Sequence, residues 1–234
     1  MNKTFRSFLG TSPLMARVAP FVIFLALTAL QGAFGESSRY WMYLAKTVVG
    51  AWMVWVMYPL VSEMPWKINV EGVLVGVAVF AIWVGIDPYV PKLDTLIVKL
   101  GFKPKSGELP WNPLTFFAGN AALGWLMVGV RTLGSALVVP PLEETFYRSF
   151  IYRYIANPDF TSIPLQRWHA ASFFISTALF GFSHNEWLAG ILCAMAYQWL
   201  VLRRGRLGEA MTAHAVTNFL LSIWVVARGA WQFW

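Results

Sequence analysis

Charge is scarce in this chain. Asp, Glu, Lys and Arg together make up 12% of its 234 residues, about half of the quarter that a soluble domain carries. A soluble globule of this length needs a polar skin, and the sequence does not supply one. Cysteine is almost absent: Cys193 stands alone, so no intramolecular disulfide can form and the compartment cannot be read from it. Its place in an apolar run marks it as a packing residue. The 18 glycines follow no three-residue period, which excludes a collagen-like chain. Disorder is excluded too, because it requires low hydrophobicity. What is abundant is apolar surface, with 58% hydrophobic and 17% aromatic residues. These proportions leave an all-α, polytopic membrane helix bundle. The net charge of +7 comes from cations in loops beside apolar runs, where they orient helices and meet anionic lipid. The lipid bilayer is therefore a partner, and nucleic acid is not.

Apolar runs separated by short polar turns predict about eight transmembrane helices, over 18–34, 40–61, 72–86, 114–139, 142–156, 168–183, 187–202 and 210–227. Residues 1–234 read as a single transmembrane domain. Lys3, Arg6 and Arg17 precede the first run as they would in a signal peptide. No small-x-small cleavage site follows it and a second span comes close behind, so it is kept as a helix. Residues 89–112 differ. Leu93, Leu96, Ile97 and Leu100 follow an i, i+3, i+4, i+7 pattern with Lys92, Asp94 and Lys99 off that face. This predicts a short interfacial helix lying on the bilayer, after which Pro104, Gly107 and Pro110 break the chain. Pro140 and Pro141 are expected to end the fourth span and to open the fifth. Trp41, Trp66, Trp111, Trp168, Trp187, Trp231 and Trp234 lie near predicted helix ends, as an aromatic belt places them. With eight spans and a cytoplasmic amino terminus, the inner loops hold five cations (Lys3, Arg6, Arg17, Lys67, Arg228). The outer loops then hold ten: Arg39, Lys92, Lys99, Lys103, Lys105, Arg153, Arg167, Arg203, Arg204 and Arg206. The positive-inside rule thus favours both termini outside.

An ionisable residue inside the membrane is costly and is a functional hypothesis by default. The spans cannot shed Arg131, Glu143, Glu144, Arg148, His184, His214 and Asn218, whereas Lys46 and Glu71 lie close enough to helix ends to snorkel. Glu144 and Arg148 are four residues apart on one helical face and can pair. Glu143 is rotated by about 100° and points elsewhere, with Tyr147 four residues on as a hydrogen-bond candidate. A structural ion pair with a capping glutamate explains these residues equally well. His214 and Asn218 are again four apart and face one neighbour. His169 beside Trp168 reads as an interfacial polar residue. A lone buried histidine is more often a satisfied core residue. Two histidines, an asparagine and a spare glutamate within one bundle are harder to dismiss.

Glu143-Glu144-Thr145-Phe146-Tyr147-Arg148 resembles an EExxxR motif, Phe180-Gly181-Phe182-Ser183-His184 an FxxxH motif and His214-Ala215-Val216-Thr217-Asn218 an HxxxN motif. In this order they are similar to the CPBP family, which contains the type II CAAX prenyl endopeptidases and bacterial immunity-type homologues. The likeness covers residues 115–225, the expected catalytic core. It implies an intramembrane endopeptidase that acts on a membrane-associated protein or peptide. Carried over, Glu143 and His184 activate water, His214 and Asn218 form the oxyanion site, and Glu144 with Arg148 is the supporting pair. No cofactor and no metal are implied. Two side-chain donors aimed at a developing oxyanion suit a low-dielectric site. A zinc peptidase built on His184, His214 and Glu143 is the first rival, although no HExxH is present. A serine or cysteine protease is a weaker one. A non-catalytic immunity-type protein or a proton-relaying transporter is another. The expected location is a multi-pass position in a bacterial inner membrane, with substrate and oligomeric state left open.

Overall fold

The computed structural model describes residues 2–102 and 110–234; the expected breakers Pro104 and Gly107 lie outside these. Among the described residues all regular structure is helical. A short helix α1 (Asn2–Leu9) leads into α2 (Pro13–Ala29). Ser12 starts α2 by accepting a hydrogen bond from the Met15 N–H at 3.1 Å, and Pro13 takes the first helical position, where no N–H is needed. Then follow α3 (Ser38–Met57), α4 (Val70–Ile86), α5 (Leu93–Lys99) and α6 (Pro113–Phe116). Asn69 caps α4 by accepting from Gly72 N–H at 2.8 Å. The long helix α7 runs continuously from Ala121 to Ala156. It is followed by α8 (Ala170–Gly181), α9 (Trp187–Arg204) and α10 (Gly208–Arg228). Gly205 (φ 68°) and Gly229 (φ 63°) end α9 and α10 in the left-handed conformation, which glycine adopts without a Cβ penalty.

Three stretches are long and apolar enough to cross a membrane, Val70–Lys99, Ala121–Ala156 and Gly208–Arg228, and α2 and α8 are shorter apolar helices. The exterior carries open Val22, Leu25, Val48, Leu74, Trp125, Phe174 and Ile223, while Glu144, Arg148, Gln198 and Glu209 are fully buried. An apolar outside around polar groups is the arrangement of a protein dissolved in lipid. The all-α membrane bundle is therefore as expected, and α5 forms where its periodicity placed it, with Ile97 and Leu100 left open.

Two expectations are corrected. Pro140-Pro141 does not divide a fourth span from a fifth. The helix passes through both prolines because the preceding segment Gly134–Val138 is wound as a π-helix, whose wider turn takes up the proline rings. Lys46 does not snorkel. It is 7% exposed, donates to the Thr28 hydroxyl at 3.2 Å and lies over the Phe24 and Tyr43 rings.

The continuous α7 changes the parity of the bundle. One end gathers the start of α2, the α3–α4 turn and the end of α7, because Arg17 and Arg153 both pair with Glu63 at 2.7 Å. The α9–α10 turn joins them through Leu207 N–H on the Glu63 carbonyl. The opposite end joins the α4–α5 turn to the α8–α9 turn, through Lys92–Glu186 at 2.7 Å and Leu93 N–H to Asn185 O at 2.8 Å. The first and last helices thus begin and end at opposite ends, and the arrangement with both termini outside is not available. Among the described residues, Arg6, Arg17, Lys67, Arg153, Arg167, Arg203, Arg204 and Arg206 lie at the α1 end, against Arg39, Lys92, Lys99 and Arg228 at the other. Close approach of helices is set by small residues: a Cβ on Gly76 of α4 would stand 2.5 Å from the Ala213 carbonyl of α10.

Glu63 is the electrostatic staple of the α1 end. Burial pushes its carboxyl up, but the Arg17 guanidinium, the Ser149 hydroxyl and Arg153 outweigh it and hold the group down at about 2, from an ordinary 4.5. A folded-state value below the unfolded one adds stability that is present above pH 4.5 and is lost as pH falls toward 2. Thermal unfolding in detergent should therefore move to lower temperature across that window. Glu63→Gln should start lower at neutral pH and show a flatter dependence. An unchanged slope in Glu63→Gln would remove Glu63 as its source.

Candidate active site

The three polar groups singled out in the sequence reach one cavity of about 160 Å³, whose walls include Glu143, His184, His214 and Asn218 together with Trp83, Arg131, Ser135 and Phe180. Each is positioned by a local reason. Glu143 and Glu144 sit on the α-helical turn Val139–Glu144 between two π-wound segments of α7, Gly134–Val138 and Thr145–Ile151. Glu144 is fully buried and bridges two partners: one carboxylate oxygen lies 3.2 Å from Arg148 Nε, the other 3.0 Å from His214 Nδ1. The Arg148 contact is an ion pair without hydrogen-bond alignment, and all three Arg148 nitrogens lack a hydrogen-bond partner. The Phe180 ring meets the guanidinium at 4.8 Å.

Glu143 is held differently. Its side chain is 17% exposed, and its Oε2 is buried without a partner, 3.9 Å from His214 Nε2. That separation is too long for a hydrogen bond. The expected Tyr147–Glu143 bond does not form. The Tyr147 ring instead packs edge-on against Phe180 at 5.1 Å.

His184 lies in the turn after α8. Its Nδ1 is 2.8 Å from the Phe180 carbonyl. A carbonyl only accepts, so Nδ1 carries the proton and Nε2 keeps a free lone pair. Trp83 meets the ring edge-on at 5.5 Å and Phe180 meets it at 4.8 Å, which fixes its orientation. His214 is clamped by the stacked Tyr197 ring at 5.2 Å. With Nδ1 committed to Glu144, donation from Nε2 requires that the His214–Glu144 pair hold a second proton.

Asn218 donates from Nδ2 to the Ser135 carbonyl at 2.9 Å. That carbonyl is free for a reason written in the sequence. In the π-wound segment Val139 N–H bonds Gly134 O, five residues back. The same pattern would pair Ser135 O with residue 140, which is proline and has no N–H. Asn218 takes the vacated acceptor, and its second amide hydrogen remains available to the cavity. Ser135, Trp83 and Glu186 were not among the residues read from the sequence. The signal for Ser135 was the spacing of Pro140. Glu186 follows His184 by two residues, and Trp83 sits in an unmarked apolar run. The rival metal set gains no support from donor geometry: among the described residues no three His, Cys, Asp or Glu side chains group closely enough to hold an ion. His169 caps α8, with Nδ1 accepting from Ser172 N–H at 3.2 Å.

Residues 125–220 match the model of the type II CAAX prenyl endopeptidase Rce1-like family, which lies within the CPBP family. The resemblance carried by the three motifs is thereby borne out over that segment. The matched family is one of peptidases, and the match supports a hydrolase. No curated protein and no solved structure matches the chain.

The two glutamates should separate by stability. Arg148→Ala leaves a fully buried carboxylate with one partner fewer, and losing one member of a buried pair costs about 3–5 kcal/mol. It should lower the melting temperature in detergent and the amount of folded protein in the membrane. Glu143→Gln keeps shape and removes a charge that no hydrogen bond holds, so it should accumulate and melt like the parent. A stable Arg148→Ala beside an unstable Glu143→Gln would reverse the two roles.

Proposed function

We propose that this integral membrane protein is an intramembrane endopeptidase of the glutamate type, hydrolysing a peptide bond of a membrane-associated protein or peptide. The observation that carries the reading is Glu143: a buried carboxylate oxygen without a partner, on the wall of a cavity that also holds His184, His214 and Asn218. A water molecule between Glu143 and His184 Nε2 passes a proton to Glu143 as its oxygen bonds to the scissile carbonyl carbon. The carbonyl electron pair moves onto oxygen, where the second Nδ2 hydrogen of Asn218 and the Nε2–H of His214 receive it. Collapse of this intermediate breaks the C–N bond, and Glu143 returns the proton to the departing amine. The products are a carboxylic acid and an amine. Glu144 and Arg148 touch none of the reacting atoms; they hold the His214 ring and its extra proton in place.

The excess of cations at the α1 end favours that end in the cytoplasm. His184 and the α8–α9 turn belong to the other end, so the cavity mouth faces the outer side, which in a bacterial inner membrane is the periplasm. Cysteine labelling of loop positions in intact cells reads this directly.

The test of the chemistry is cleavage by purified protein in detergent. Glu143→Gln and His184→Ala should each abolish it. Asn218→Ala should lower it by the roughly 10²–10³-fold that accompanies loss of one oxyanion donor. Full cleavage by Glu143→Gln would overturn the assignment of the base. Loss of activity in 1,10-phenanthroline that zinc restores would make the protein a metallopeptidase instead.

A further inference from the structure

Glu186 lines the same cavity as His184 and has no part in the chemistry above. Its carboxylate lies 2.7 Å from the Lys92 ammonium. The same ammonium pairs with Asp87, just after α4. It also lies 5.1 Å from the ring of Phe233, a second residue of the cavity wall. The backbone on either side of Lys92 continues the contact. Leu93 N–H donates to the Asn185 carbonyl at 2.8 Å, and Asp94 N–H to the Asn185 side-chain oxygen at 3.1 Å. Trp187 donates from Nε1 to the Pro91 carbonyl at 3.0 Å. The three residues that follow His184 are thus each gripped by the segment from Pro91 to Asp94.

His184 needs such a grip. It lies between α8, which ends at Gly181, and α9, which starts at Trp187, so it has no place in a helical ladder. Its N–H bonds back to Gly181 O at 3.0 Å and its ring to Phe180 O at 2.8 Å. Both partners belong to the end of α8, and neither fixes how far the turn stands from Glu143 on α7. That separation matters, because a group misplaced by about 1 Å loses about 10²-fold in rate. We propose that Lys92 is a positioning residue: it clamps the α8–α9 turn onto the α4–α5 turn and so sets the place of His184 opposite Glu143. The side chains of the cluster are 12–25% exposed. Its charges are therefore less screened than those of an open surface pair. Without the ammonium, Asp87 and Glu186 face one another as like charges and push the two turns apart.

The inference rests on the peptidase reading, and a measurement that needs no cleavage keeps the two apart. The chain has three histidines. The full chain labelled with ¹⁵N-histidine in detergent therefore gives three sets of ring signals, assigned through His169→Gln and His214→Gln. The parent should show His184 in the single Nδ1–H tautomer. Lys92→Met should convert it to a mixture with the Nε2–H form, while His169 and His214 keep their signals. In cleavage assays the same variant should lose about 10²-fold in kcat with KM unchanged. Lys92→Arg, whose fork also spans two carboxylates, should restore both the tautomer and kcat. An unchanged His184 signal in Lys92→Met would overturn the inference. Equal disturbance of all three histidines would mark Lys92 as a general structural residue and overturn it as well. Should Lys92→Met not accumulate, Trp187→Phe asks the same question, since it removes the bond to Pro91 and keeps a ring. A change confined to His184 supports the clamp, and no change there overturns it. If the His184 signals respond as expected while the parent cleaves no peptide, the peptidase reading falls alone.

Discussion

Glu144 has no contact with water and carries two obligations at once. One oxygen faces Arg148 at 3.2 Å and the other faces His214 at 3.0 Å. A carboxylate buried in an apolar bundle is tolerated only with partners, and each partner is needed for a different reason. Arg148 supplies the charge, while His214 supplies a hydrogen bond that crosses from α7 to α10. Arg148 in turn lies 4.8 Å from the ring of Phe180, the residue whose carbonyl fixes the His184 tautomer. The three motifs, scattered over some 75 residues of sequence, are thus one contact network. Its centre is structural, and the groups assigned to chemistry hang from its edge. This explains why adjacent glutamates differ so much in surroundings: the turn that buries Glu144 between Arg148 and His214 turns Glu143 toward the cavity.

The second constraint is the proline pair. In an ordinary helix, prolines at 140 and 141 would clash with the turn before them and leave the carbonyls of residues 136 and 137 without partners. The chain keeps its helix by widening that turn, and the widening moves the shortage to Ser135 O. Asn218 supplies the missing donor at 2.9 Å. The consequence is orientation. An asparagine amide free to flip could present oxygen or nitrogen to a substrate. Tied to a carbonyl that only accepts, the amide cannot flip, so its second N–H keeps a fixed direction, and an N–H is the polarity an oxyanion needs. A backbone defect and a polar side chain thus resolve each other, and the result is a preset donor.

Much of this was legible in composition and spacing. The polar residues that apolar helices could not shed were Arg131, Glu143, Glu144, Arg148, His184, His214 and Asn218, and all but Arg148 and Glu144 line the cavity. The four-residue spacings of Glu144–Arg148 and His214–Asn218 correctly paired residues sharing a face. What failed was local. A proline pair in an apolar run reads as a helix boundary, since sequence periodicity carries no sign of a π-wound turn. One false boundary then added a span and inverted the loop charges. The start of α2 was read late because Arg17 was taken as a flanking charge, whereas Glu63 and Ser149 hold it inside the bundle. That partner is 46 residues away, a distance no local pattern encodes. Lys46 was misplaced for the same reason, its partner Thr28 lying on another helix.

The hydrolysis proposed for this cavity needs water inside a lipid-facing bundle, and the helix lengths bear on that need. The twelve residues of α8 rise about 18 Å, short of the roughly 30 Å hydrocarbon core. A helix this short leaves non-helical backbone within the apolar thickness at one of its ends. The α8–α9 turn and the α4–α5 turn beside it are lined by Asp87, Lys92, Asn185 and Glu186, tied together by ion pairs and a backbone bond. Non-helical backbone at such depth is stable only where it is covered by protein or lines a polar cavity. The shortness of α8 and the polarity of these two turns are consequently one feature. They stand beside the cavity whose walls include Glu143, His184 and Glu186. The opposite end is closed by Glu63 with Arg17 and Arg153.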